Sequence, residues 1–289
     1  MNYLLHIIIF INVYIILAVS TNLLVGMANL LSLGQAAFYG TGAYITALAL
    51  IILKLPLIPT VILAMVVTAL ISIIIAYSSL RLQGDYFIMA TLGFQLIVYT
   101  ILYNWVNVTR GPYGISGIPS PKIAGLFEIS GILPFFVLST LLAALVVYII
   151  YRLIYSPFGR ALRALREDEI ALLSLGRNVT TLKIWTFAIS SAFIAIAGFI
   201  YASYITYIDP TSFNLDEAIF ILSAVLIGGL GNIKGPVAGA VFVILMPELL
   251  RFVGLPDNVA ANLRMVIYGL TLIVLMRYRR KGLAGEFQM

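Results

Sequence analysis

Long apolar runs alternate with short polar breaks along almost the whole chain, and the run lengths set the first expectation. A helix of about 20 apolar residues crosses the hydrocarbon layer of a bilayer. On that measure the sequence predicts helices near 3–24, 35–53, 57–80, 86–106, 132–155, 184–206, 216–231, 235–253 and 258–278. The runs at 35–53, 216–231 and 235–253 are short or interrupted by glycine. The expected fold is therefore an all-α polytopic membrane protein with about eight to ten spanning helices, some broken or re-entrant. Residues 1–289 read as a single transmembrane domain.

One polar break differs from the others. Residues 156–183 hold eight charges, five of them basic. Pro157 suits a first helical turn, where its missing N–H costs nothing. Arg160, Arg163 and Arg166 recur every third residue, and Leu162, Leu165, Ile170 and Leu173 supply an apolar stripe. Glu167, Asp168 and Glu169 form an acidic end, and Gly176 is the expected stop. One amphipathic helix from Gly159 to Gly176 is predicted. Two readings stand: a helix docked in a groove on a soluble subunit, or one lying on lipid headgroups. The acidic triplet weighs against the second, because an anionic leaflet repels it. The other long break, 107–131, is rich in Gly, Pro and Ser and reads as an external loop capping the bundle.

Composition supports the membrane class. The chain is 62% hydrophobic and 10% charged, with a mean hydropathy of +1.10, against about 25% charged residues in an ordinary soluble domain. It has no cysteine, which removes disulfides, zinc–thiolate sites and thiol chemistry together. The net charge of +6 would suggest nucleic acid in a soluble protein; here it reads as orientation, and no nucleic-acid partner is expected. The first apolar run has no basic residue before it and no small-residue cleavage site, so it reads as a retained span.

Nine crossings place Arg81, Arg152, Arg160, Arg163, Arg166, Arg177, Lys183, Lys234, Arg277, Arg279, Arg280 and Lys281 on one side. Lys54, Arg110, Lys122, Arg251 and Arg264 fall on the other, a bias of twelve to five. By the positive-inside rule the N-terminus is outside and the C-terminus cytoplasmic, with residues 156–183 facing the cytoplasm.

Broken spans suggest where a solute passes, because freed backbone groups must face a cavity or buried protein. Gly34, Gly40 and Gly42 interrupt the second run, where Gln35, Tyr39, Thr41 and Tyr44 could line a path. Gly228, Gly229, Gly231, Gly235 and Gly239 do the same near the seventh and eighth. The competing reading is close helix packing, since Gly235 to Gly239 is a small-xxx-small spacing. Asp85 is expected to pair with Arg81, four residues earlier. No His-Glu-x-x-His or Gly-x-Ser-x-Gly motif occurs and there is one histidine, so no catalytic or metal residues are assigned. Ionisable residues are scarce in the middle of the spans, which disfavours proton relay.

Four segments carry a resemblance: Leu-Ser-Leu-Gly-Gln-Ala-Ala-Phe-Tyr-Gly-Thr-Gly-Ala-Tyr (31–44), Leu-Arg-Leu-Gln-Gly-Asp-Tyr-Phe-Ile-Met-Ala-Thr-Leu-Gly-Phe (80–94), Thr-Arg-Gly-Pro-Tyr-Gly-Ile-Ser-Gly-Ile-Pro (109–119) and Gly-Gly-Leu-Gly-Asn-Ile-Lys-Gly-Pro-Val-Ala-Gly-Ala (228–240). With them the chain resembles the LivM-type permease subunits of bacterial and archaeal branched-chain amino acid ABC importers. The resemblance implies a non-enzymatic permease in the cell membrane, working with a second, homologous permease subunit, two ATP-binding subunits and an external solute-binding protein. It implies that Gly159, Arg160, Arg163, Arg166, Asp168, Glu169 and Gly176 belong to the ATPase-coupling helix. Importer permeases often carry Glu-Ala-Ala-x-x-x-Gly there; this chain reads Glu169-Ile170-Ala171 with Gly176 one residue late, so the helix is transferred as a unit. No Gly-x-x-x-x-Gly-Lys-Ser/Thr loop is present, so no cofactor is expected in this chain, and ATP and Mg are expected on the partner subunits. Two alternatives stay open: the same architecture importing urea, amides or another small solute, and an ion-coupled secondary carrier.

Overall fold

The computed structural model describes the chain except residues 1, 83, 124–126, 130, 253–265, 267–268, 271–281 and 285–289. The predicted ninth helix, 258–278, therefore lies almost wholly outside the described residues, as do Arg264, Arg277, Arg279, Arg280 and Lys281. The described part is helical throughout its core: α1 (Asn2–Asn22), α2 (Gln35–Ile51), α3 (Leu57–Ser79), α4 (Asp85–Asn104), the single turn α5 (Val106–Thr109), α6 (Ile132–Ile154), α7 (Pro157–Glu167), α8 (Glu169–Ser174), α9 (Val179–Ile205), α10 (Leu215–Gly228) and α11 (Lys234–Phe252). Eight of the nine predicted spans have a counterpart here. Five of these helices, with α1 counted through Met27, are long and apolar enough to cross a membrane.

α1 and α9 form the centre. α1 continues through a π-helical turn, Leu23–Met27, and is buried over most of its length. α9 packs against both α2 and α3 and also touches α1. The fit is close because small residues face one another. A Cβ on Gly42 would come within 2.6 Å of the Ala195 Cα, and one on Gly198 within 2.6 Å of the Tyr39 carbonyl oxygen. Around this core, α3 turns Ile58, Ile62, Val66, Leu70 and Ile74 outward, an i, i+4 row that apolar surroundings would cover.

Two pieces of antiparallel pairing lie between helices. β1 (Ile115–Ser116) pairs with β4 (Tyr207–Ile208), with Ile115 opposite Ile208 and Ser116 opposite Tyr207. β2 (Lys122–Ile123) pairs with β3 (Phe127–Glu128) within one loop. The β1–β4 pair shows that the 107–131 loop and the α9–α10 connection share one face of the molecule. The opposite face gathers α7, α8 and the α10–α11 turn. Asn22 organises that turn, donating to the Asn232 carbonyl at 2.9 Å and accepting from the Gly231 N–H at 3.4 Å.

Three expectations need correction. The stretch 159–176 is two helices: the backbone is extended at Asp168 (φ −155°, ψ 109°), whose carboxylate caps α8 by accepting from Ile170 N–H at 2.8 Å and Ala171 N–H at 3.0 Å. Asp is a strong N-cap former and a poor helix interior residue, which is why the chain breaks there. Gly40 and Gly42 do not interrupt α2, which is continuous from Gln35; the break precedes it, at 28–34. Arg81 lies over the Tyr77 ring, 5.1 Å from its centroid, and forms no ion pair with Asp85.

Candidate functional site

α7 and α8 hang from the end of α6. Ser156 caps α7, accepting from the Gly159 N–H at 3.4 Å while its own hydroxyl donates to the Leu153 carbonyl at 2.6 Å. Gly159 lies so close to the Ile154 backbone that a side chain would collide with it. Leu162 and Leu165 are buried beneath α7. Arg163 donates to the Ile154 carbonyl at 3.2 Å and covers the Tyr155 ring at 5.8 Å. Arg166 donates to the Gly26 carbonyl on the π-helical turn of α1. Partial burial lowers the pKa of that guanidinium, which stays charged at any ordinary pH. Two arginines of the predicted basic face thus hold α7 to the bundle, and Arg160 is exposed.

α8 presents a different surface. Ile170, Leu173 and Leu175 are 75%, 52% and 79% exposed. Around them Glu167, Asp168 and Arg177 are exposed, and Gly176 (φ +74°) ends the turn. Glu169 pairs with Lys183 at 2.7 Å, which ties α8 to the first turns of α9. Beside α8 runs a groove of about 530 Å³ bounded by Leu31, Leu82, Asp85, Phe87 and Leu173.

The helix breaks meet deeper in the bundle. α10 has 14 residues, so it spans about 21 Å, less than a hydrocarbon layer. A short 3₁₀ turn, Pro210–Phe213, precedes it. Phe213 is buried against Gly40, where a Cβ would come within 2.8 Å of its ring. Tyr39, Tyr201 and Tyr44 surround that ring at centroid distances of 5.0, 5.8 and 6.2 Å. The Phe213 carbonyl accepts from Gln95 Nε2 at 2.7 Å, the Gln95 side chain being fully buried midway along α4. Gln35 and Tyr44 are also buried, and neither side chain finds a hydrogen-bond partner among the described residues.

At the other end of α10 the glycines of 228–240 serve close approach. Gly228, Gly235 and Gly239 abut one another's backbones and that of Ala224. Gly229 and Gly231 turn the chain at φ +102° and +95°. Leu283 and Ala284 donate their N–H groups to Ile227 and Gly228 carbonyls at 3.0 and 2.9 Å, so the far end of the chain seals this turn. Gly34 is the N-cap of α2, and a Cβ there would come within 3.4 Å of the Phe94 ring and the Thr91 carbonyl oxygen.

Glu217 is among the residues that no motif singles out. Glu217, in the first turn of α10, accepts from the Tyr14 hydroxyl at 2.6 Å, inside the bundle. The available signal was Asn214-x-x-Glu217, a capping pattern that moves the helix start outward; Asn214 does cap, accepting from the Glu217 N–H at 3.1 Å.

A bundle of apolar helices with short broken members, carrying a polar helical appendage on one face, defines a polytopic membrane transport subunit. The chain belongs to the family described as branched-chain amino acid transport system permease components, whose model matches residues 3–276. It is 35% identical to the high-affinity branched-chain amino acid transport system permease protein LivM of Salmonella typhimurium, over 94% of this chain and 67% of that protein. The Escherichia coli protein of the same description is 33% identical over the same shares. A probable branched-chain amino acid transport permease protein LivM of Methanocaldococcus jannaschii is 33% identical over 80% of this chain and 68% of its own length. No solved structure matches.

Proposed function

We propose that this chain is a permease subunit of an ATP-binding-cassette importer, forms part of the path for leucine, isoleucine and valine, and is driven by a separate ATPase. The observation that carries this reading is the exposed apolar tip Ile170, Leu173 and Leu175 on a polar appendage outside the spans. Such a tip, rimmed by Glu167, Asp168 and Arg177, suits a groove on a soluble subunit. Headgroups suit it less, because the acidic rim opposes an anionic leaflet. ATP and Mg belong to that partner in this reading. A second permease subunit and an external solute-binding protein complete the assembly in this reading; the relatives' names speak of a permease protein within a transport system.

In this reading the protein lies in the cell membrane with α7 and α8 cytoplasmic. The 107–131 loop and the α9–α10 connection are then external. The basic residues favour this orientation, since only five, Lys54, Arg110, Lys122, Arg251 and Arg264, fall on the outer side against twelve on the inner.

The test is reconstitution of the whole assembly in liposomes with the solute-binding protein outside and ATP inside. ATP-dependent leucine uptake is expected. Uphill uptake by this chain alone on a proton or sodium gradient would overturn the reading.

A further inference from the structure

We infer that Glu217, held by Tyr14, is the counter-charge for the ammonium group of the amino acid as it passes through the bundle. This deepens the reading above and rests on it. A carboxylate near a helix start has an ordinary explanation, the capping box, in which it turns back to the cap residue's N–H. Glu217 does otherwise. Asn214 makes its half of the box, while the Glu217 carboxylate reaches across to α1 and takes the Tyr14 hydroxyl at 2.6 Å. Only one carboxylate oxygen is engaged; the other has no hydrogen-bond partner among the described residues.

The neighbouring hydroxyl is an independent sign. Tyr39 on α2 is 3% exposed, and its hydroxyl also lacks a hydrogen-bond partner among the described residues. It lies close enough to Glu217 for the carboxylate charge to bear on it, as it does on Tyr14. A hydroxyl without a partner beside a carboxylate is a donor that a ligand can engage. The place therefore offers an acceptor oxygen and a hydroxyl without partners, at the meeting of α1, α2 and α10.

The walls say which ligand. Glu217 forms no ion pair with a cation among the described residues. Phe220 meets Tyr14 edge-on at 5.3 Å and Phe213 meets Tyr39 at 5.0 Å, so aromatic rings pack against both tyrosines. Rings favour a cation and an aliphatic chain alike. A primary ammonium on an apolar skeleton fits; a neutral sugar or amide leaves the charge unpaired in a membrane interior.

The test uses the complete importer in liposomes. Glu217→Gln is expected to lower ATP-dependent leucine uptake at least about tenfold, as loss of a buried ion contact does. Glu248→Gln, a carboxylate bonded to Tyr3 at the end of α11, should leave uptake within about twofold. Uptake by Glu217→Gln equal to wild type overturns the inference and leaves the importer reading standing. A wild-type assembly that imports no branched-chain amino acid overturns the importer reading first, and this one with it. Should Glu217→Gln fail to assemble, the wild-type assembly decides. A membrane-permeant carbodiimide modifies Glu217, followed by mass spectrometry, during turnover with and without leucine-loaded binding protein. Protection of about threefold or more, the value at two-thirds occupancy, supports the inference; equal modification overturns it.

Discussion

Gln95 and Phe213 are joined inside the bundle: the Gln95 amide on α4 donates at 2.7 Å to the Phe213 backbone carbonyl. This bond explains how non-helical backbone survives inside the bundle. The segment before α10 must satisfy its carbonyls without water, and one buried side chain does so. Replacing Gln95 with Leu should lower stability by about 1–3 kcal/mol, the cost of a stranded buried acceptor. Thermal unfolding in detergent measures it, and an unchanged Tm would refute the role.

The glycine contacts give opposite outcomes at two positions. Gly198→Ala pushes a methyl into the α2 backbone and should cost about 1–3 kcal/mol by overpacking. Gly93→Ala, midway along α4 with open space around it, should be neutral or add about 0.5–1 kcal/mol through helix propensity. The same melting experiment reads both.

Attachment and docking separate on α7 and α8. Arg166→Gln loosens the tie to Gly26 and should cost about 1–2 kcal/mol of stability. Ile170→Ser with Leu175→Ser touches only exposed side chains and should leave Tm unchanged. That double variant should instead lose co-purification of the ATPase. Retention of the ATPase by the double variant would count against docking at this tip.

The Lys183–Glu169 pair, short as it is, contributes little. Its glutamate is 44% exposed, so Lys183→Ala should cost less than about 1 kcal/mol, and less still at high salt. A larger, salt-independent loss would show that Lys183 acts through something else.

The β1–β4 register is testable because the chain has no cysteine to interfere. Ser116 and Tyr207 are Cα partners, within disulfide reach of each other. Ser116→Cys with Tyr207→Cys should cross-link on mild oxidation, seen as a reduction-sensitive mobility shift. Failure to cross-link would place the two loops apart.

Much of this was legible in the sequence. Run length located eight helices that the structure describes, because a spanning helix must satisfy its own backbone whatever surrounds it. Cap chemistry decided what run length could not. Asn178 accepts from the Thr181 N–H at 3.0 Å and starts α9 at Val179, earlier than the apolar run that begins at 184. Asp168 splits the appendage for the same reason. The polar ties were hidden because they are long-range: Tyr14 to Glu217, Asn22 to Asn232 and Gln95 to Phe213 each join helices far apart in the chain. Charge counting along single spans set Glu217 at a helix margin, where a carboxylate draws no notice. Only the bond to Tyr14 on α1 shows that it faces the bundle.

The π-helical turn at the end of α1 has a mechanical consequence. Where that helix stops, its last carbonyls lose their helical donors, and Gly26 offers one to Arg166. Tyr14 sits twelve residues back on the same helix, about 18 Å away by the helical rise. A tug on the appendage would thus reach the carboxylate through a single stiff strut, with no loop between to absorb the stroke.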